Sequence, residues 1–313
     1  MAGGSVVVVG ASMLDLISYV PRLPRPGETL HGSSFQIGFG GKGANQAVMA
    51  AKLGSPVAMV AKLGTDGFGD DTFDNFVAQR VDTTHVHRTD AASSGVAPIA
   101  VQPDGANAII IVAGANDHLT VDEVERARAT IAAAEVVVCQ LEIPMAVTEA
   151  ALRIAREEGV TTILNPAPAR EELPADLYHL ADVLCPNEPE TELLTGAPVT
   201  ADQAVAQAQS LRRRGAGAVV LTLGERGCLV VDDHGATDLP SDDVEVVDTT
   251  GAGDAFVGAL AHFLAGGADL RDAAGRASRL AAITVTARGT QTSFPDAAEV
   301  PAELLTPGSS PSP

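Results

Sequence analysis

Short, unbroken β-branched runs recur along this chain, and each gives way to a stretch with helical spacing. VVVV at Val6–Val9 leads the series, followed by a run near 57–60, VVVCQL (136–141), TTILN (161–165), DVLCPN (182–187) and AVVLTLG (218–224). Helical patterns lie between them at 44–53, 70–79, 121–133, 145–158 and 202–214, with two more at 254–265 and 272–287. A strand apolar on both faces must be covered on both, and strands joined through helices pair in parallel. The pattern predicts an α/β fold: a doubly wound, mainly parallel sheet with helices on both faces.

Two regions lack a crossover helix. Residues 15–40 carry strand-like pieces separated by Pro and Gly, and 95–114 read as a hairpin turning at PDGAN. Both are expected to be antiparallel, forming a small β lid over one end of the body. Residues 1–300 are expected to make one domain, and the Pro/Ser-rich tail, 301–313, to be disordered.

Charge narrows the partners. With 40 acidic against 20 basic residues the formal charge is −20, which argues against nucleic acid or an anionic membrane surface. Cys139, Cys185 and Cys228 are odd in number, widely spaced and set in apolar stretches, as expected of reduced thiols in a cytoplasmic protein. The MAGGSVVVVGAS start reads as a first strand, not a signal peptide.

Polar residues recur just beyond the strand ends: Asp15, Glu142, Asn165, Asn187, Gly224 and Asp248. Open α/β sheets bind ligands at that edge. Three loops add detail and leave alternatives open. GFGGKGANQAVMAAKLG (38–54) is either a flexible turn or a backbone that approaches a polar ligand, with Lys42 and Asn45 as contacts. PNEPE (186–190) suits a helix start or water-mediated Mg²⁺ contacts. TLGERG (222–227) is a β-turn or a phosphate cradle. VDTTGAGDAF (247–256) sets Gly251, Ala252 and Gly253 where helix amides would hold an anion, yet places Asp254 beside them.

Taken together, GFGGKGANQAV, PNEPE and DTTGAGDAFVGAL resemble the signatures of the ribokinase family, the PfkB-type sugar and nucleoside kinases. The resemblance spans about 4–296. VAGAN (112–116), CQLEIP (139–144), NPAPA (165–169) and RGTQTSFP (288–295) resemble its ribokinase members more than the family at large.

The resemblance implies ATP-dependent phosphorylation of the 5-hydroxyl of D-ribose, with 2-deoxyribose or another sugar or nucleoside as the alternative substrate. Asp254 falls on the family's general base, and the amides of Gly251, Ala252 and Gly253 on its anion hole. Met13, Asp15, Gly41, Lys42, Asn45, Glu142 and Asp254 fall on sugar-binding positions. Asn187, the turn Thr222, Leu223, Gly224, Glu225, Arg226 and Gly227, and then Gly253 and Ser278 fall on ATP positions. Glu190 completes an NxxE motif for Mg²⁺. Asp248, Thr250, Thr284, Ala287, Gly289 and Ser293 fall on a K⁺ site. A homodimer joined through the lids is implied as well. Met13 departs from the family, which commonly has Asn there; a thioether scarcely hydrogen-bonds a sugar hydroxyl. A nucleotide-binding regulator without catalysis is disfavoured by the intact Asp254, anion-hole and NxxE motifs. A dinucleotide-binding dehydrogenase is disfavoured because GxGxxG is missing after the first strand.

Overall fold

Four consecutive valines, β1 (Val6–Val9), form an interior strand of the large sheet, third from one edge. Val6 and Val8 enter one apolar cluster and Val7 and Val9 the other, because successive side chains of a strand point to opposite faces. Each such fully buried aliphatic side chain contributes about 1.5–3 kcal/mol. The computed structural model describes residues 4–306.

From β1 the chain continues through β2 (Met13–Tyr19), β3 (Ser34–Gly40), α1 (Lys42–Lys52), β4 (Val57–Gly64), α2 (Gly67–Ala78) and β5 (Val81–Thr89). A hairpin of β6 (Val96–Val101) and β7 (Asn107–Ile109) precedes α3 (Val121–Arg126), α4 (Arg128–Ala132), β8 (Val136–Cys139) and α5 (Met145–Glu157). Next come β9 (Thr161–Leu164), α6 (Ala175–Leu180), β10 (Val183–Leu184), α7 (Glu188–Thr195) and α8 (Ala204–Arg213). The chain then adds β11 (Ala218–Thr222), β12 (Cys228–Asp232), β13 (Gly235–Leu239), α9 (Ala252–Ala265), α10 (Leu270–Thr284) and α11 (Ala302–Leu305).

The nine-stranded sheet has the order β13-β12-β11-β10-β9-β8-β1-β4-β5. It is parallel from β11 to β5, and β12 and β13 add an antiparallel hairpin at one end. Strand order reverses between β1 and β8, which opens a crevice beyond their C-terminal ends. The smaller sheet, ordered β3-β2-β6-β7, springs from β1 across residues 10–12. Its β2–β3 and β6–β7 pairs are antiparallel, whereas β2 and β6 run parallel. Asn116 holds the junction, accepting from the Ser12 amide at 3.0 Å and donating to the Ser12 carbonyl at 2.9 Å.

Three local readings need correction. The helix expected over 121–133 is two helices, broken where the Ala127 amide bonds the Val124 carbonyl in a tighter turn. β5 is an edge strand that the polar run VDTTHVHRT conceals. In the tail expected to be disordered from 301, residues 302–305 form α11, because Leu304 packs into the core at 2% exposure. Residues 307–313 lie outside the described residues. No helix among the described residues is long and apolar enough to cross a membrane.

Candidate active site

The start of α9 is shaped by Gly251, whose φ of 81° lies in the left-handed region that favours glycine. A Cβ there would come within 2.5 Å of Thr290 Cγ2. First-turn amides have no partner within their helix, which makes this end a place for an anion. Of the three expected donors, Ala252 turns its amide onto the Thr249 carbonyl at 3.2 Å. Gly251, Gly253 and Asp254 line a cavity of about 190 Å³, together with Lys42, Asn187 and Glu190.

Asp254 is 8% exposed, and both of its carboxylate oxygens accept from amides. Asn45 Nδ2 donates to Oδ2 at 2.9 Å and Gln46 Nε2 to Oδ1 at 3.0 Å. Gln46 also donates to Asn165 Oδ1 at 3.1 Å and accepts from Gln140 Nε2 at 2.6 Å. On the other side Gln291 Nε2 donates to Asn45 Oδ1 at 3.0 Å, and Asn75 Nδ2 to Gln291 Oε1 at 2.9 Å. Gln46, Gln140, Gln291 and Asn75 were not singled out in the sequence. A polar residue inside an apolar run, as in VVVCQL, was the available signal.

The remaining candidates come from the start of α1, from β2 and from the segment after β8. Gly41 is the N-cap of α1, and the Lys42 amide donates to Glu142 Oε2 at 2.8 Å. Asp15 stands in β2 opposite Gly38, and Met13, also in β2, is 4% exposed within an apolar cluster. The charges are coupled: Asp254 raises the Lys42 pKa, opposed by burial and aided by Glu142 and Glu190. Burial raises the carboxyls of Glu142 and Glu190. Burial, with help from Glu142 and Asp254, pushes Asp15 up to about 6.

That shift has a definite sign. A carboxyl raised from 3.8 to about 6 favours the fold fully below 3.8 and loses that contribution as pH rises through about 6. Asp15→Asn should therefore melt at wild-type temperature near pH 4 and about 2–4 °C higher near pH 8. Melting curves and calorimetry at both pH values check this; a pH-independent Tm difference would refute the shift.

Asn187 and Glu190 form a reciprocal capping box on α7. The Glu190 amide donates to Asn187 Oδ1 at 2.8 Å and the Asn187 amide to Glu190 Oε2 at 2.9 Å. Both are thus structural, while Glu190 Oε1 stays outside the reciprocal pair in the cavity wall, an oxygen of the type Mg²⁺ takes directly or through water. The turn after β11 closes on itself: Leu223 donates to Gly227, Arg226 to Leu223 and Gly227 to Gly224. Those three amides are spent internally, leaving Gly224 and Glu225 as the turn's backbone donors. Thr222 reaches the cavity and pairs with Asn187 as an isolated bridge. Ser278 is buried in α10, away from the cavity lining.

Of the cation candidates, Asp248, Thr250 and Gly289 meet one another. Asp248 Oδ1 accepts from the Thr250 hydroxyl at 2.6 Å, and Oδ2 from the Gly289 amide at 3.0 Å. Burial works against this charge, but the bonds from Thr250 and Gly289 outweigh it and hold the Asp248 pKa below its ordinary value. With Thr284, Ala287 and Ser293 the set offers only oxygen donors and one carboxylate. Such a set fits a monovalent cation better than a transition metal.

Comparison with known proteins gives a consistent picture. Residues 4–297 match the pfkB family of carbohydrate kinases. The ribokinase of Mus musculus is 45% identical over 309 residues, covering 96% of this chain and 95% of that protein. The deoxyribokinase of Salmonella typhi is 42% identical over 291 residues, covering 93% of this chain and 95% of that protein. A solved structure of Arabidopsis thaliana ribokinase complexed with ribose and ATP has a TM-score of 0.87 at 31% identity, covering 97% of this chain and 99% of that one.

Proposed function

The chain belongs to the pfkB family of carbohydrate kinases, and from that premise we propose that it catalyses the ribokinase reaction. The γ-phosphoryl group of ATP passes to the 5-hydroxyl of D-ribose, giving ribose 5-phosphate and ADP. The observation that carries this reading is Asp254, a buried carboxylate in the first turn of α9 that shares one cavity with Lys42 and Gly253. Asp254 takes the proton of the attacking hydroxyl as the new O–P bond forms and the bond to ADP breaks. The start of α9 stabilises charge on the transferring group, and Lys42 offsets the phosphate charge. Asp15, Gly41, Asn45 and Glu142 hold the other sugar hydroxyls. Asn187, Thr222 and the turn 223–227 hold the nucleotide.

Glu190, with Asn187, is the proposed holder of Mg²⁺, which when bound neutralises polyphosphate charge. Asp248, Thr250, Thr284, Ala287, Gly289 and Ser293 are proposed to hold K⁺, which would steady the loop before α9. The proposed assembly is a homodimer through the lids, whose Phe35, Ile37, Ile109 and Ile110 are exposed; a monomer by light scattering would overturn it. Cys139, Cys185 and Cys228 are free and buried, in keeping with a cytoplasmic location.

A coupled ADP-release assay over pentoses, hexoses and nucleosides, with Mg²⁺ and K⁺ each omitted in turn, tests the whole reading. Turnover highest on ribose supports it; turnover on nucleosides alone sinks it. Met13 favours a second reading, 2-deoxyribose, because its buried thioether offers no hydrogen bond to a sugar hydroxyl. Losing one such bond shifts preference by about 1–3 kcal/mol. Met13→Asn should raise the ribose-to-deoxyribose ratio of kcat/KM by about tenfold or more. An unchanged ratio removes Met13 from the specificity argument.

A further inference from the structure

The buried amides behind Asp254 form a chain whose direction is fixed at its far end. Asn165 donates from Nδ2 to the Cys185 carbonyl at 2.9 Å, and a carbonyl can only accept. Asn165 therefore turns Oδ1 toward Gln46, so Gln46 must present Nε2 to Asn165 and Asp254 alike. Gln46 Oε1 is then left for Gln140, which donates from Nε2. Gln46 and Gln140 are both 0% exposed and meet no solvent. Gln140 Oε1 is buried without a partner. An unmet buried acceptor is costly, so an apolar residue would suit position 140 better unless its donor has a use.

The second Asp254 oxygen is held by Asn45, which is 5% exposed and is the residue proposed to turn toward the sugar. Gln46 is the donor that would remain on Asp254 were Asn45 to turn to the sugar. We propose that Gln46, oriented by Gln140, is a positioning residue that holds Asp254 Oδ1 so that Oδ2 faces the attacking hydroxyl. Gln46 reaches neither substrate and acts only through Asp254. This inference rests on Asp254 being the base.

The test uses Gln46→Met, Gln140→Met, the double variant and Asp254→Asn, with kcat, both KM values, ATP-binding stoichiometry and Tm measured on each. Gln46→Met should lower kcat about 10–100-fold, as expected of a misplaced catalytic group. Both KM values and the binding stoichiometry should stay within about twofold of wild type, since no substrate contact is lost. Gln140→Met should show a smaller loss of the same kind, and the double variant should be no slower than Gln46→Met, because the two act in series. Normal kcat in folded Gln46→Met, or losses that multiply in the double variant, overturns the proposal. Should Gln46→Met not fold, Gln140→Met decides: wild-type kcat there overturns it. Retained turnover in Asp254→Asn would instead overturn the base itself, so the two failures are told apart.

Discussion

Asp254→Asn is expected to lose about 10³-fold in kcat while still binding ATP, because general-base help contributes about 10²–10⁴-fold. The replacement keeps the shape but removes the proton acceptor. It also sets an amide NH₂ against one of two donors, Asn45 Nδ2 or Gln46 Nε2. That mismatch should cost about 1–3 kcal/mol of stability, enough to lower Tm by a few degrees without unfolding the protein. Steady-state kinetics with calorimetric titration of ATP separates the two effects. Turnover within about threefold of wild type would remove Asp254 from the chemistry.

Gly253→Val should be nearly as damaging for a different reason. Gly253 lines the cavity, and a Cβ at this position meets nothing within 4 Å. The fold therefore accepts the side chain, and Val is the better helix former of the two by a few tenths of a kcal/mol. The added carbons enter the space assigned to the transferring phosphoryl group, so kcat/KM should fall about 10²–10³-fold, comparable to losing one transition-state donor. Gly251→Ala gives the contrast. Its φ of 81° and the contact at 2.5 Å from Thr290 Cγ2 mean that the fold suffers first, by about 1–3 kcal/mol. A Gly253→Val enzyme with wild-type kcat/KM and unchanged Tm would place the anion site elsewhere.

The layer architecture was legible because it is written in local period. VVVV, the VVVC of VVVCQL and the AVVL of AVVLTLG are apolar at every position, as expected of short strands covered on both faces. The PDGAN turn marked the β6–β7 hairpin for the same local reason. β5 escaped because it lies at the sheet edge, where alternate residues face water and the apolar signal is halved. The parallel β2–β6 pairing escaped because it joins segments far apart in the chain, with Asp15 opposite Ala97.

The site divides in the same way. Asp254, Lys42 and Asn45 could be picked out because small-residue loops running into helices mark them. For Asn187 and Glu190 the sequence left cap and ligand both open, and the reciprocal bonds show that the cap is real. The amide chain was illegible: Gln46 meets Asp254 across 208 positions and Gln291 meets Asn45 across 246. No local pattern encodes such a pairing.

The sequence by itself determined the alternating α/β layers, the places where backbone turns into helices with small residues, and the candidate carboxylate, Asp254. Only the tertiary structure decided which groups surround that carboxylate. It brings the partly buried Asp15 and Glu142 up to the buried Asp254, and desolvation, a property of the assembled site, lifts Asp15 to about 6. It also fixes the direction of the amide chain, because that direction is set by one carbonyl, Cys185, brought up by a neighbouring strand end.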